Sequence, residues 1–279
     1  MSQSSSSLEK CRILRRQGFT LGEIIKLTNL PKTTIYGYIR DISLPLKIQA
    51  EIKKRHIRRL VDFSRARKGK CIKGREIVKP VGWSLDLIFI VSHFMFDGQI
   101  KYAGCEYYNR SFSLIKEMKR RVKNIFGIDS PIYKRDFGVS QLRYYNVELG
   151  SYISEKAKRL LNDIKNFSLS EKQVFLKSFF DDEGNAHVYK KIRSVRGFQK
   201  NLIILKLVGS LLEDFGIQSK VDEKYKEIVV SKKNNLIRFR SRVNFSKGIY
   251  VNPARKNSIW KQKLEKREIL NKILNSYQV

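Results

Sequence analysis

The stretch LKSFFDDEG, residues 176–184, is an apolar run that ends in an acid and a glycine, and a stretch of the same build, IVSHFMFDG, lies earlier at residues 90–98. Roughly thirty residues beyond each, a helical pattern closes on Phe-Gly-Ile-x-Ser, once in SLIKEMKRRVKNIFGIDS (113–130) and once in NLIILKLVGSLLEDFGIQS (201–219). Asp97 and Glu183 stand 86 positions apart, and Gly127 and Gly216 stand 89 apart. Two landmarks recurring at nearly one period mark an internal duplication.

Outward from Gly184, the second copy reads helix, strand, strand, helix, strand, strand, helix. Ser170 is placed as the cap of a helix running through Val174–Phe180 to Glu183. Asn185–Arg193 alternates, with Ala186, Val188 and Ile192 on one face and His187, Tyr189, Lys191 and Arg193 on the other. A helix over 201–215, a hairpin around Lys220–Ser231 and a helix over Asn234–Phe245 complete the copy. The first copy should match, with a strand near Ile100–Tyr107 and a helix over Ser113–Phe126. Strands near Pro131–Phe137 and Arg143–Leu149 and a helix taking in Ser154–Leu161 follow. NPARKNSIWKQKLEKREILNKILN is predicted to form one basic amphipathic helix with Trp260, Leu264 and Ile273 inward.

This order, with an acid and a glycine closing the opening helix, resembles the LAGLIDADG homing endonuclease family over roughly residues 84–250. The second motif matches well. In the first, Met95 stands where an acid is usual and His93 is unexpected. The resemblance implies an α+β fold of two tandem αββαββα repeats in one chain, forming a saddle over double-stranded DNA and acting as a monomer. It implies motif helices packed through Ser92 and Ser178 and ended by Gly98 and Gly184. It also implies that Asp97 and Glu183 meet there as catalytic, metal-binding acids. Each acid alone reads as a surface residue, but two acids at helix C-termini repel each other and the helix dipoles unless a cation intervenes. Carboxylate oxygens suit Mg²⁺, and such sites can drive in-line attack on a phosphodiester. His187, Tyr189, Lys191 and Arg193 are the expected DNA-reading residues of the second repeat, and Arg135, Arg143 and Tyr145 those of the first. Asp181 and Asp182 are expected to be packing or solvated residues rather than ligands, with Asp182 adjoining the site, His93 a satisfied interface histidine, and Trp83, Phe94, Phe179 and Phe180 core.

Ahead of the repeats, LEKCRILRRQGFTLGEIIKLTNLPKTTIYGYIRDI reads as three short helices: one from Leu8 to about Gly18, one opened by a Thr20–Glu23 capping box, and one from Lys32 to about Asp41. The last pair resembles a helix-turn-helix, which implies that Lys32, Thr33, Thr34 and Tyr36 meet bases and Arg40 a phosphate. A bundle for protein contacts is the plainer alternative. Leu46–Pro80 carries 13 Lys and Arg against three acids and reads as a basic helix with a looser connector. The expected organisation is a helix-turn-helix module at 1–45, a basic linker at 46–82, and repeats at 83–168 and 169–279.

The 279 residues carry 58 Lys and Arg against 26 Asp and Glu, a net charge of +32. That field attracts polyanions, and 42% hydrophobic residues give a folded rather than a tail-like chain. No run of about 18 apolar residues suggests a membrane span, so a cytoplasmic, DNA-associated setting is expected. Cys11, Cys71 and Cys105 form no C-x-x-C pair, and the three histidines are isolated, which argues against a thiolate zinc site or a Cys-His nucleophile. The functions in competition are a site-specific Mg²⁺-dependent endonuclease, a transcription regulator whose repeats bind DNA without cutting, and an RNA-splicing maturase. Bacterial sporulation regulators combining a LAGLIDADG-like domain with a helix-turn-helix give the second its precedent.

Overall fold

The Thr20 hydroxyl accepts from the Glu23 amide while the Glu23 carboxylate accepts from the Thr20 amide, and this reciprocal box opens α2. It belongs to the first of two units, Met1–Gly74 and Arg75–Val279, of a computed structural model that describes residues 3–67, 77–189, 192–254 and 258–277. The first unit holds α1 (Gln3–Arg16), α2 (Leu21–Thr28), α3 (Lys32–Ile39) and α4 (Leu46–Arg67). α1 begins ahead of the expected Leu8, in the serine run. α2 stops at Asn29, which takes the left-handed conformation at φ 53°. Cys11, Ile24, Ile35 and Ile39 form the small core between α1, α2 and α3. Arg12 and Arg15 tie α1 to the end of α3 by donating to the carbonyls of Tyr38 and Ile42. The connector expected after α4 lies outside the described residues.

The second unit is α+β and consists of two copies of one αββαββα order. The first runs α5 (Leu85–Phe96), β1 (Gly98–Lys101), β2 (Gly104–Asn109), α6 (Phe112–Phe126), β3 (Tyr133–Lys134), β4 (Ser140–Tyr144), α7 (Val147–Asp163). The second runs α8 (Leu169–Glu183), β5 (Gly184–Tyr189), β6 (Ile192–Phe198), α9 (Leu202–Glu213), β7 (Ser219–Asp222), β8 (Glu227–Ser231), α10 (Lys233–Arg242). α11 (Lys266–Asn275) follows. Each copy forms an antiparallel four-stranded sheet, ordered β1-β2-β4-β3 and β5-β6-β8-β7. Among the described residues no helix is long and apolar enough to cross a membrane.

α5 and α8 pack side by side at the centre. α5 is apolar on every side because it is enclosed on every side: nine of its twelve residues are buried. Ser92 and Ser178 are buried, and Phe96 meets the rings of Phe175 and Phe179 edge-on at 5.6 and 5.3 Å. Gly98 and Gly184 follow the helices without a left-handed φ. Their need for glycine is proximity: a Cβ would lie 2.5 Å from the Phe94 carbonyl oxygen and 2.4 Å from that of Phe180.

Several local expectations require correction. The cap of α8 is Ser168, in a reciprocal box with Glu171, rather than Ser170. The alternation over Asn185–Arg193 spans two strands, because β5 ends at Tyr189 and β6 begins at Ile192. Ile100–Tyr107 is likewise a hairpin. Val147–Leu149 open α7 instead of ending a strand, since the Asn146 side chain accepts from the Leu149 amide and caps the helix. The C-terminal helix begins only at Lys266, because the chain before it lies in extended contact with residues 249–251, with Val251 N donating to Leu264 O at 3.0 Å. Trp260 and Leu264 pack from this irregular segment, and Ile273 from the helix.

Candidate acidic centre and nucleic-acid interface

Because α5 and α8 run together and each ends in acids, their C-terminal turns gather carboxyl groups. Asp97, the cap of α5, is half-buried, and its Oδ2 accepts from Asn109 Nδ2 at 3.1 Å. The same amide group donates to Asp182 Oδ1 at 3.2 Å, so Asn109 bridges the two helix ends. Asp182 was expected to be packing or solvated. It is neither surface-facing nor apolar in its contacts: its side chain is fully enclosed, 2.6 Å from His93 Nδ1 and accepting from the Tyr107 hydroxyl at 3.0 Å. His93 is buried at the interface as expected but only half satisfied, for its Nε2 has no hydrogen-bond partner among the described residues.

The electrostatics follow from burial. Desolvation, and then the neighbouring Asp182 charge, push the Asp97 carboxyl up to about 7. Asp182 is raised well above the usual carboxylate range by desolvation and by Asp181, while His93 is lowered to about 4 by burial. Burial thus disfavours the charged form of both partners of the His93–Asp182 pair. Asp181 is raised by burial; its Oδ1 accepts from the Ser246 amide at 2.7 Å and its Oδ2 has no partner among the described residues.

The counter-charge comes from Lys266 at the first turn of α11. Its ammonium is buried and donates to the carbonyls of Asp181 at 2.7 Å and Phe180 at 3.4 Å, capping the C-terminal end of α8. Burial lowers its pKa, while Asp181, Asp182, Asp97 and Glu183, in falling order, oppose that shift. Glu183 is half-buried in the last turn of α8. A cleft of about 240 Å³ is lined among others by Asp97, Asn109, Arg110, Asp181, Asp182 and Lys266, and Glu183 is not part of that lining.

The carboxyl groups at the cleft offer hard oxygens of the kind a divalent cation takes. Asp181 leaves one buried carboxylate oxygen without a partner among the described residues, and burial and the Asp182 charge hold the Asp97 carboxyl up despite Lys266, His93 and Arg110. Among the described residues no three His, Cys, Asp or Glu groups form a ready-made cage. Mg²⁺ is commonly held by one or two carboxylates, with substrate phosphate and water completing its shell.

The sheets present their second faces away from the helices. Register pairs His187 with Ser194 and Asn185 with Arg196, so these four side chains share the outer face of the second sheet. Arg193 pairs with Val188 and lies on the opposite face, a correction to its expected place beside His187. The chain reverses between Tyr189 and Ile192, and strand parity changes with it. Arg193 donates to the Ser276 hydroxyl at 2.7 Å and carbonyl at 3.0 Å and sits over the Tyr277 ring, fastening the end of α11. Arg196 and, through Val229, Lys220 lie on that outer face, and Arg196 pairs with Glu227 at 3.2 Å. His187 is half-buried, and burial lowers its pKa. The side chain of Tyr189 and all of Lys191 lie outside the described residues.

In the first sheet, Arg143 and Glu106 pair on the outer face, and Arg143 stacks over Tyr133. Arg135 donates to Gln141 at 2.7 Å. Gln141, Lys101, Tyr108 and Tyr145 all donate to Glu106, which is thereby kept below the usual carboxylate range, chiefly by the Tyr108 hydrogen bond. In the first unit, Lys32, Thr33, Tyr36 and Arg40 are exposed, Thr34 is half-buried, and Ile35 and Ile39 face the core. No side chain caps the start of α3.

No family model matches the chain, and no curated protein matches it. Solved structures do. Mesophilic variants of the homing endonuclease I-DmoI are 22% identical over 57% of this chain and 90% of theirs, with a TM-score of 0.44. I-DmoI in complex with DNA and Mn is 20% identical over 57% of this chain and 97% of that one, with a TM-score of 0.43. The N-terminal LAGLIDADG domain of DUF199/WhiA is 14% identical over 60% of this chain and 87% of its own, with a TM-score of 0.44.

Proposed function

We propose that this protein is a sequence-specific, Mg²⁺-dependent double-strand DNA endonuclease of homing type, acting as a monomer. The observation that carries this reading is the convergence of two side-by-side helices on a buried, electron-rich cluster at an open cleft, in a chain of net charge +32. Asp97 and Glu183 would hold the cation, which when bound would supply Lewis acidity toward a phosphate oxygen. Asn109 fixes the Asp97 carboxylate against the α8 end, and Lys266 keeps the crowded acids compatible with folding. Gly98 and Gly184 bring the first strands against the helix ends, and Ser92 and Ser178 let the helices approach. The outer faces of the two sheets, through His187, Arg196, Arg135 and Arg143, form a saddle on the duplex, with Tyr189 and Lys191 as further candidates from the sequence alone. α3 of the first unit adds Lys32, Thr33, Thr34, Tyr36 and Arg40 as a helix-turn-helix reader.

The test is to incubate the protein with a plasmid library of its genomic neighbourhood in Mg²⁺ or EDTA and sequence new DNA ends. Defined Mg²⁺-dependent ends that vanish in Asp97→Asn and Glu183→Gln, with binding nearly intact, support the reading. Cutting at the wild-type rate by either variant refutes the site assignment. One observation favours a second reading, a DNA-binding regulator: Lys266 already supplies a positive charge among the acids. A regulator protects a defined site and produces no ends in Mg²⁺.

A further inference from the structure

We propose that Phe137, at the tip of the β3–β4 hairpin, is a wedge that inserts between base pairs of bound duplex DNA beside the acidic cleft. The inference rests on the DNA-binding part of the function proposed above. Phe137 is 91% exposed and has φ 57°, ψ 28°, a left-handed conformation that a bulky aromatic residue rarely adopts. Gly138 follows it at φ 72°. The folded protein gains no burial from this ring and bears a strained backbone to present it. Such a combination points to a task outside the fold.

The tip is also held in place. Arg135 N donates to Val139 O at 2.8 Å, closing the loop, and Arg110 Nε donates to the Phe137 carbonyl at 3.4 Å. Arg110 and Val139 line the cleft that contains Asp97, so the base of the loop is the rim of the acidic centre. Arg110 also lowers the Asp97 pKa, although desolvation and Asp182 outweigh it. An apolar ring on a basic, fixed loop suits insertion into a polyanionic duplex, since Phe is among the side chains that unstack base steps and kink DNA. The hairpin tip of the other repeat differs. Tyr225 there is 62% exposed, Lys224 sits 5.5 Å over its ring, and the left-handed residue is Lys226. The wedge is therefore a feature of the first repeat.

Unstacking unwinds the duplex, so the probe is relaxed, closed-circular plasmid treated with a metal-independent topoisomerase in EDTA, where no cutting occurs. Wild-type protein should leave a linking deficit that grows with bound protein. Phe137→Ala and Phe137→Gly should retard the plasmid at similar concentrations yet leave no deficit, and Phe137→Leu should restore it. Phe137→Gly should melt no lower than wild type, because glycine relieves the left-handed strain; this separates loss of a wedge from loss of fold. A wild-type complex without a deficit, or a deficit unchanged in the Gly variant, overturns the wedge and leaves DNA binding standing. Failure of wild-type protein to retard the plasmid overturns both.

Discussion

Asp97 is where a sequence feature becomes a measurable pH effect. Its carboxyl ionises near 4 in an unfolded chain and at about 7 in the fold. Below pH 4 both states hold the proton and the residue costs nothing. As pH rises from 4 to 7 the unfolded chain releases it first, stability falls, and the loss is complete above pH 7. In EDTA, Asp97→Asn should therefore stabilise the protein at pH 8, on the order of 2–4 kcal/mol, and leave it unchanged at pH 3.5. Urea denaturation at the two values checks this, and parallel pH profiles would count against the buried carboxyl. Lys266→Met should do the reverse, destabilising by about 3–5 kcal/mol at pH 8, where Asp181 and Asp182 lose their counter-charge. Urea denaturation of the variant checks this, and stability equal to wild type would count against the buried lysine as the counter-charge. Asp97 stood out in the sequence because a helix-ending acid recurs in both repeats. Lys266 left no such mark, since only tertiary packing sets the start of α11 against the end of α8. Asn109 was missed for a similar reason: it reaches Asp97 only once β2 folds back on β1.

Among the elements, periodicity gave the helices and sheets wherever a run was long, and it failed at reversals. The pattern from Asn185 to Arg193 looked like one strand because a short hairpin leaves the apolar alternation nearly unbroken while exchanging the faces. The exchange separates two arginines. Arg196→Ala should weaken DNA binding and flatten the dependence of log K on log salt by about one unit, the signature of one lost phosphate contact. Arg193→Ala should leave that slope alone and lower the melting temperature, because it releases the end of α11 from the sheet. Equal effects of the two on the slope would contradict the assignment of faces. The central seam shows the same dependence on context. Register makes Tyr107 and Gly197 equivalent, opposite Gly98 and Gly184. Tyr107 packs on His93, whereas a Cβ on Gly197 would lie 2.4 Å from the Phe179 ring. His93 and Phe179 thus fill the two halves with different volumes, a pairing that the motif pattern alone does not reveal.

On the scale of the whole chain, positive charge is spread over both units. Residues 1–74 carry 18 Lys and Arg against five acids, and the excess in residues 75–279 is larger still. Cys11, Ile24, Ile35 and Ile39 form a core separate from the one around α5 and α8. A chain of residues 75–279 should therefore keep its own cooperative unfolding transition, since no residue of its core is removed. On the proposed function its DNA affinity should fall, and the salt dependence with it, because the phosphate contacts proposed for the first unit and the avidity of two linked binders would disappear together. The consequence for function depends on where the chemistry resides. In an endonuclease the acids at the ends of α5 and α8 remain, so the shortened chain should produce the same DNA ends as the full one at higher protein concentration. In a regulator that takes its address from α3, the same truncation should abolish site protection while leaving weak, sequence-independent retardation. Mapping DNA ends and footprints for both chains, at matched occupancy and fixed salt, decides between them. Ends that shift position after truncation would show that the first unit sets the register of the cut.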